Sequence, residues 1–271
     1  MNTKVFSDPA AVARAAAEHF VNLKPRSVAL SGGSTPRVLY ELLADAREPF
    51  RDQIPWDETH FFFSDERHVP PDHPDSNYRM VNEALFLRVP LPPQNIHRVL
   101  AENPRAEEAA ENYENDLRKF FGEAIPAFDL VLLGLGEDGH TASLFPHSPA
   151  LNETKRLVVA PWVEKLNTYR ITMTLPVLNN GKSVVFLVTG ASKAEIFSEV
   201  IKTQPKPDTT PDTRPTSEGD RKVYEVLYPA QAISPTSGAV SWFVDEAAAR
   251  LCSINNSSNA RGSSDLLNRN P

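Results

Sequence analysis

The chain has 271 residues, of which 41% are hydrophobic and 23% charged, and it is long enough for one sizeable hydrophobic core. Its formal net charge of −7 argues against a general affinity for nucleic acid or acidic membranes, and no apolar run approaches the length of a membrane span. The single cysteine, Cys252, excludes an internal disulfide and, without a signal-peptide pattern at the N-terminus, predicts a reducing, cytoplasmic setting.

Short apolar runs alternate with helical patterns along the chain. Strands are predicted at residues 28–30, 60–63, 129–133, 157–160, 169–175 and 184–188. Helices are predicted at residues 8–20, 36–46, 78–87, 105–121 and 191–202, and a strand-and-helix pattern occupies 239–251. This alternation predicts an α/β protein with a Rossmann-like layered fold, in which a mainly parallel sheet is flanked by helices on both faces.

Two segments depart from this pattern. Residues 203–221 are rich in Pro, Thr and Asp and have no period, so we expect an exposed insertion loop within one domain that spans residues 1–252. Residues 253–271 are rich in Ser and Asn, and we expect them to form a poorly ordered C-terminal tail.

The stretch LSGGSTPRVLYELL, residues 30–43, follows a predicted strand, and in such folds ligands bind at the carboxyl ends of strands, beside helix N-termini. Gly32 and Gly33 allow a tight turn, and Ser34 or Thr35 can cap the helix that follows. Free backbone amides at a helix start form an anion site, most naturally for a phosphate. The alternative is an ordinary strand–turn–helix junction.

The stretch FFFSDERHV, residues 61–69, places charged residues directly after another predicted strand. Arg67 carries a guanidinium fork that suits two oxygens of a phosphate or a carboxylate. A surface salt bridge within the Asp-Glu-Arg run is the alternative. His68 and His73 match no metal-ligand spacing, so we predict no metal site.

The stretch GLGEDGHTASLFP, residues 134–146, contains the spacing G-x-G-x-x-G after a predicted strand, which is typical of a dinucleotide-binding loop. Glu137 and Asp138 would put negative charge where the cofactor phosphates should lie, and Pro146 leaves room for little helix. We therefore interpret the stretch as a catalytic loop in which His140 is a general base and Asp138 orients its ring. A histidine that caps a loop carbonyl is the structural alternative.

Two further cations stand near predicted strands. Arg170 opens the strand of RITMTLPVLN, and Lys193 lies in the first turn of a helix after the strand that precedes VTGASKA. A lysine at this end of a helix opposes the helix dipole, and an anion bound there would explain it. For Arg170, a solvated surface charge is the alternative.

Six stretches in this order resemble motifs of one known family: SGGSTP, SDERHVPPDHPDSNY, FDLVLLGLGEDGHTASLFP, RITMTLPVLN, VTGASKA and YPAQAISPTSGAVSWFVDEAA. The chain resembles the 6-phosphogluconolactonase family over roughly residues 5–251, and the ordered set is specific although each motif alone is weak. The resemblance implies a cofactor-free esterase of the oxidative pentose phosphate pathway, which opens 6-phospho-D-glucono-1,5-lactone to 6-phosphogluconate.

The resemblance also implies roles for the residues found above. His140 would be the general base, while Gly32–Thr35, Arg67 and Lys193 would hold the substrate, mainly its phosphate. Arg67 would also stand near the reacting end, and Arg170 is counted with the binding residues. The expected partner is a small sugar-phosphate lactone, with no cofactor, nucleic acid or membrane, and the expected state is a monomer or small homo-oligomer.

Three alternatives stay open. The related glucosamine-6-phosphate deaminases carry D-G-H-I-A-F-N-E-P, whose glutamate partners the histidine, whereas this chain has Phe145 at that place. They also carry D-E-Y where this chain has the Asp-Glu-Arg run that ends at Arg67. Both departures favour the lactonase. A non-catalytic sugar-phosphate-binding protein and a dinucleotide-dependent oxidoreductase are the other two hypotheses.

Overall fold

A parallel sheet of seven strands runs through the part of the chain that the computed structural model describes, residues 2–202 and 228–252. The strands of the described residues are β1 (Asn2–Phe6), β2 (Ser27–Leu30), β3 (His60–Phe63), β4 (Asp65–Arg67), β5 (Ile96–His97), β6 (Leu130–Leu133), β7 (Val158–Val159), β8 (Trp162–Val163), β9 (Thr168–Met173), β10 (Ser183–Val188) and β11 (Ala239–Asp245). The order in the large sheet is β1-β11-β10-β6-β2-β3-β5, and all of its pairs are parallel. The predicted fold class is therefore confirmed.

Helices flank this sheet. Those of the described residues are α1 (Pro9–Leu23), α2 (Ser34–Ala44), α3 (Asn77–Ala84), α4 (Ala106–Phe121), α5 (Leu175–Leu178), α6 (Ala194–Lys202) and α7 (Glu246–Ala249). The strand order moves outwards from β2 to β5 and then returns through β6 in the opposite direction. Because parallel crossovers are right-handed, this reversal puts the helices of the two halves on opposite faces. The reversal point lies between the neighbours β2 and β6.

The core is formed by apolar strands that helices cover on both sides. All residues of β2 and β6 are buried, as are all but the first of β10, which accounts for their nearly continuous hydrophobic sequences. The shortest distance between ring centroids in the described residues is 3.8 Å, between the stacked rings of Phe186 and Trp242. None of the described helices is long and apolar enough to cross a bilayer.

A second, antiparallel sheet was not expected. The predicted strands at 157–160 and 169–175 do not join the parallel sheet: β7 and β9 pair with each other, and β9 also pairs with β4 and β8. The reason lies in β4, which follows β3 after a single residue, Ser64, and leaves the sheet to pair with β9. The backbone N–H of Met173 donates to the Ser64 carbonyl at 2.9 Å and joins the two sheets.

The remaining differences lie at the ends of elements and outside the described residues. Neither β1 nor the two-residue β5 was predicted, and the helix expected at 78–87 ends at Ala84. The predicted insertion loop at 203–221 and the predicted tail at 253–271 lie outside the described residues.

Candidate active site

A cavity of about 580 Å³ opens at the carboxyl edge of the parallel sheet, at the reversal point between β2 and β6. Its wall combines residues 31–33 after β2, residues 134–138 and 140–142 after β6, and single residues from more distant segments. Open α/β sheets bind ligands at this position because the loops on the two sides of the reversal diverge and leave a crevice.

The turn after β2 exposes backbone amides to this cavity. The helix α2 begins at Ser34, and its N-cap is Gly33 with φ +112°, a conformation that favours glycine. The prediction that Ser34 or Thr35 caps the helix is therefore wrong, and the Thr35 hydroxyl instead lies 2.7 Å from that of Thr189. Within the described ranges, the backbone N–H groups of residues 32–35 have no acceptor. Such a turn is suited to an anion.

Gly32 is required by a neighbour that the sequence did not reveal. A Cβ at Gly32 would lie 1.8 Å from Oδ1 of Asn77, which also lines the cavity. Asn77 is held there because its Nδ2 donates to the Asp65 carbonyl at 2.9 Å. Asn77 lies within the stretch SDERHVPPDHPDSNY and directly after Ser76, the N-cap of α3, but neither feature assigned it to the site. Gly32 and Gly33 line the cavity, whereas Ser34 and Thr35 are not part of its wall.

The structure brings Arg67 and Lys193 to the same cavity, although 126 positions separate them in the sequence. Arg67 is oriented by a hydrogen bond from its Nη1 to the Asp75 carbonyl at 2.6 Å. Lys193 ends a 3-10 turn that leads into α6. Among the residues that the structure describes, neither cation forms an ion pair. Both side chains are therefore available to an anionic ligand.

Arg170 lies beside Arg67 but not on the cavity wall. The two arginines are direct partners in the β4–β9 pair, so their side chains emerge on the same face. Partial burial and the neighbouring charge of Arg67 lower the pKa of Arg170 below its usual value. Arg170 thus adds positive potential next to the cavity, and a direct contact with a ligand remains a prediction.

The loop after β6 is closed by its own hydrogen bonds rather than by a helix. The Gly136 N–H donates to the His140 carbonyl at 2.8 Å, and Gly139, at φ +78°, donates to the Gly136 carbonyl at 3.1 Å. A Cβ at Gly136 would lie 2.0 Å from Nδ1 of His140. The glycines therefore allow the loop to fold back on the His140 ring, and the residues directly after Gly139 form no helix.

His140 is held by Asp138, and Asp138 is held by a lysine that the sequence did not reveal. Oδ1 of Asp138 accepts a 3.2 Å hydrogen bond from the His140 backbone and contacts Nδ1 of the ring. Oδ2 forms an ion pair with the ammonium of Lys165. Although partial burial raises the pKa of Asp138, the hydrogen bonds from His140 and Lys165 outweigh it and hold the pKa well below its usual range. Lys165 belongs to no motif and reaches the cavity only because β9 folds back towards β4.

The other ring nitrogen of His140 is free to act as a base. Nε2 has no hydrogen-bond partner among the described residues, and the ring lines the cavity. Phe145 packs against this ring with 4.3 Å between the centroids. Position 145, at which the deaminase motif has a glutamate, therefore places an apolar ring against His140.

Asp65 ties the loop to β4. Its Oδ2 accepts a 2.6 Å hydrogen bond from the Ser143 hydroxyl, and Asp65 lines the cavity while being almost fully buried.

The two histidines that follow Arg67 in the sequence have hydrogen-bond partners outside the cavity wall. His68 Nε2 lies 2.7 Å from the Asn103 carbonyl, and His73 Nδ1 accepts from the Asp75 N–H. Within residues 2–202 and 228–252, no cluster of three or more His, Cys, Asp and Glu could hold a metal ion.

Known proteins match this chain over most of its length. A family model described as glucosamine-6-phosphate isomerases/6-phosphogluconolactonase matches residues 7–242. A 6-phosphogluconolactonase of Synechocystis sp. is 43% identical over 225 residues, which is 82% of each chain. The crystal structure of the devB protein has a TM-score of 0.79 at 35% identity and covers 92% of this chain and 98% of that one. The 6-phosphogluconolactonase from Trypanosoma cruzi has a TM-score of 0.74 at 28% identity, with 93% and 97% covered.

Proposed function

The chain belongs to the family of glucosamine-6-phosphate isomerases and 6-phosphogluconolactonases, and from this we infer that it hydrolyses 6-phospho-D-glucono-1,5-lactone to 6-phosphogluconate. This is the lactone-opening step of the oxidative pentose phosphate pathway. The observation that carries the choice of reaction is the loop around His140, where Asp138 holds Nδ1, the ring lines the cavity, and Phe145 packs on the ring from the position at which the deaminase motif has a glutamate.

In the proposed mechanism His140 is the general base. Nε2 takes a proton from a water molecule as the water oxygen attacks C1 of the lactone, and the bond between C1 and the ring oxygen then breaks. His140 returns the proton to the departing ring oxygen, so one proton is borrowed and given back. Asp138 keeps the ring in the tautomer that leaves Nε2 unprotonated. A positioned base of this kind contributes roughly 10²- to 10⁴-fold in rate.

The negative charge that develops on the carbonyl oxygen needs a donor. Arg67 lines the cavity, and its guanidinium can donate hydrogen bonds to this oxygen, together with backbone amides of the cavity. Each such donor typically contributes roughly 10²- to 10³-fold in rate. The ester is a lactone that also opens in water, so the proposed mechanism has no covalent enzyme intermediate.

The phosphate group is assigned to the other end of the cavity. Lys193 and the backbone amides of Gly32 and Gly33, which line the cavity, meet the requirements of a doubly charged anion, since Lys193 forms no ion pair and these amides have no acceptor within the described ranges. Contacts from Ser34 and Thr35 to the phosphate stay a prediction. Arg170 adds positive charge beside Arg67, and a direct contact between Arg170 and the phosphate stays a prediction. The remaining expectations, namely no cofactor, a cytoplasmic setting and a monomer or small homo-oligomer, stay predictions.

An assay of two products tests this function against the deaminase hypothesis. The native protein should open the phosphorylated lactone well above the spontaneous rate and release no ammonia from glucosamine 6-phosphate. The variant His140→Asn should lose at least ~10²-fold in kcat while its affinity for 6-phosphogluconate stays within about twofold, because only proton transfer is removed. Ammonia release from glucosamine 6-phosphate would overturn the proposed activity, and normal turnover in His140→Asn would overturn the general-base role of His140.

A further inference from the structure

Lys165 is the residue of the cavity wall that no motif accounts for. It lies in a 3-10 turn, Glu164–Leu166, between β8 and β9, and its ammonium forms an ion pair with Oδ2 of Asp138. Oδ2 is the oxygen that His140 does not use, so Asp138 bridges a fixed cation and the imidazole. The chain of contacts therefore runs from the antiparallel sheet through Asp138 to His140.

Lys165 also contacts Phe145, whose ring packs on His140. Its Nζ lies 4.7 Å from the centroid of the Phe145 ring, and Phe145 packs on His140. A cation over an aromatic face is attracted by the ring quadrupole. The turn that carries Lys165 is closed by Asn167, which lies in the left-handed region at φ +48° and donates its N–H to the Glu164 carbonyl at 3.0 Å. This closed turn therefore fixes the backbone position of Lys165.

We propose that Lys165 is a positioning residue for the reaction: by holding Oδ2 it turns Oδ1 of Asp138 towards Nδ1 of His140 and so leaves Nε2 as the unprotonated nitrogen. This inference rests on the proposed role of His140. A carboxylate can rotate about its terminal torsion, which has broad minima. Without Lys165, the oxygens of Asp138 could turn to solvent, and His140 would lose the partner that selects its tautomer.

An ion pair between Lys165 and Asp138 that only stabilised the fold would give a different experimental result. The side chain of Lys165 is 51% exposed and that of Asp138 is 32% exposed, and exposed ion pairs contribute little to stability. If that were all, replacing Lys165 would shift the melting temperature slightly and leave catalysis unchanged. The test therefore needs a readout that stability does not move.

The variant Lys165→Met removes the charge and keeps a long apolar side chain, whereas Lys165→Arg keeps the charge. The matched control is Lys182→Met, which removes another aspartate–lysine pair, Lys182 Nζ to Asp129 Oδ1 at 2.8 Å, at the opposite edge of the sheet. With the phosphorylated lactone, Lys165→Met should lower kcat roughly tenfold or more because the base is misoriented, and KM should stay within about twofold. Lys165→Arg should restore most of kcat, and Lys182→Met should leave it unchanged.

Nitrogen-15 NMR of the His140 imidazole gives a readout that does not depend on activity. The native protein should show mainly the tautomer of His140 that is protonated at Nδ1. Lys165→Met should show a mixture of the Nδ1 and Nε2 tautomers. If Lys165→Met does not fold, Lys165→Gln should show the same mixture. Native kcat with a native tautomer in a folded neutral variant would overturn the role of Lys165, and so would a loss that falls on KM rather than kcat. Normal turnover in His140→Asn would instead overturn the general-base role on which this inference rests, and a native protein that does not open the phosphorylated lactone would overturn the proposed function, so the failures are distinguishable.

Discussion

At the scale of the single residue, Gly136 decides whether His140 can stand where it does. A Cβ at Gly136 would lie 2.0 Å from Nδ1 and 2.1 Å from Cε1 of the imidazole, so any side chain must displace the ring. We expect Gly136→Ala to lower kcat at least roughly tenfold, because a displaced base no longer reaches the attacking water. Steady-state kinetics with the phosphorylated lactone measure the effect, and circular dichroism checks that the fold is retained.

Gly134 supplies the matched control within the same loop. A Cβ at Gly134 would meet no atom within 4 Å, and its backbone is not in the left-handed region. Gly134→Ala should therefore leave kcat within about twofold of native. Equal losses in both variants would mean that the loop is sensitive to any substitution and that the space around the His140 ring is not what matters.

The sequence allowed only part of this site to be predicted. Asp138, His140, Arg67 and Lys193 could be found because each follows a strand, and the carboxyl ends of parallel strands meet at one edge. Lys165 could not, since it arrives through the pairing of β9 with β4, which joins segments about 100 residues apart and leaves no local pattern. Asn77 and the Ser143–Asp65 contact were missed for the same reason.

At the scale of the element, Glu114 joins helix α4 to the antiparallel sheet. Its Oε1 accepts from Arg118 at 2.9 Å, and its Oε2 accepts from Arg156 Nε at 2.8 Å and from the Leu157 N–H at 3.0 Å. We expect Glu114→Gln to lower the free energy of unfolding at pH 7 by about 1–3 kcal/mol, because an amide leaves charged and buried donors without acceptors. Glu111→Gln is the control, since Glu111 lies 3.9 Å from Arg156 and is 58% exposed, and it should stay within about 0.5 kcal/mol of native.

The pH dependence of this difference follows from the pKa of Glu114. Burial raises the pKa, but the hydrogen bonds from Arg156, Arg118 and two backbone amides outweigh it and bring the pKa below its ordinary value of 4.5. A lowered pKa in the folded state stabilises the fold above the unfolded value, and this contribution is lost as the pH falls through the folded value. Urea unfolding at a series of pH values should therefore show the gap between native and Glu114→Gln closing below about pH 4. A gap that stays constant into acid would contradict the assignment.

The elements themselves were predicted unevenly. Apart from His60 and Asp129, the strands at 28–30, 60–63, 129–133 and 184–188 are buried on both faces, so their apolar runs were unambiguous. The segments 157–160 and 169–175 were recognised as strands, but their sheet was not, because a strand pattern carries no information on the partner strand. The two-residue β5 is too short to give any periodic signal.

At the scale of the whole molecule, the net charge of −7 contrasts with the cations gathered at the cavity. A negatively charged protein that binds a phosphorylated substrate needs a local cluster of positive charge, and the reversal of the strand order between β2 and β6 assembles it from distant segments. Arg67, Arg170 and Lys193 come from three different parts of the chain and converge only in the folded molecule.

Two substitutions separate the tasks of these cations. Lys193→Ala should raise KM for the phosphorylated lactone much more than it lowers kcat, since the phosphate is held alike in the ground state and the transition state. Arg67→Ala should change both constants, because the guanidinium is also assigned to the oxyanion. Steady-state kinetics over a range of ionic strength measure both effects, and a kcat loss without a KM change in Lys193→Ala would place Lys193 at the reacting end instead.

The account depends most on the claim that one cavity joins a phosphate site to the base His140. The direct test is the ratio of kcat/KM for 6-phospho-D-glucono-1,5-lactone to that for unphosphorylated gluconolactone, measured for the native protein and for Lys193→Ala. We predict a large ratio in the native protein and a much smaller one in Lys193→Ala, which should be little worse than native on the unphosphorylated lactone. Equal hydrolysis of both lactones by the native protein would contradict the account.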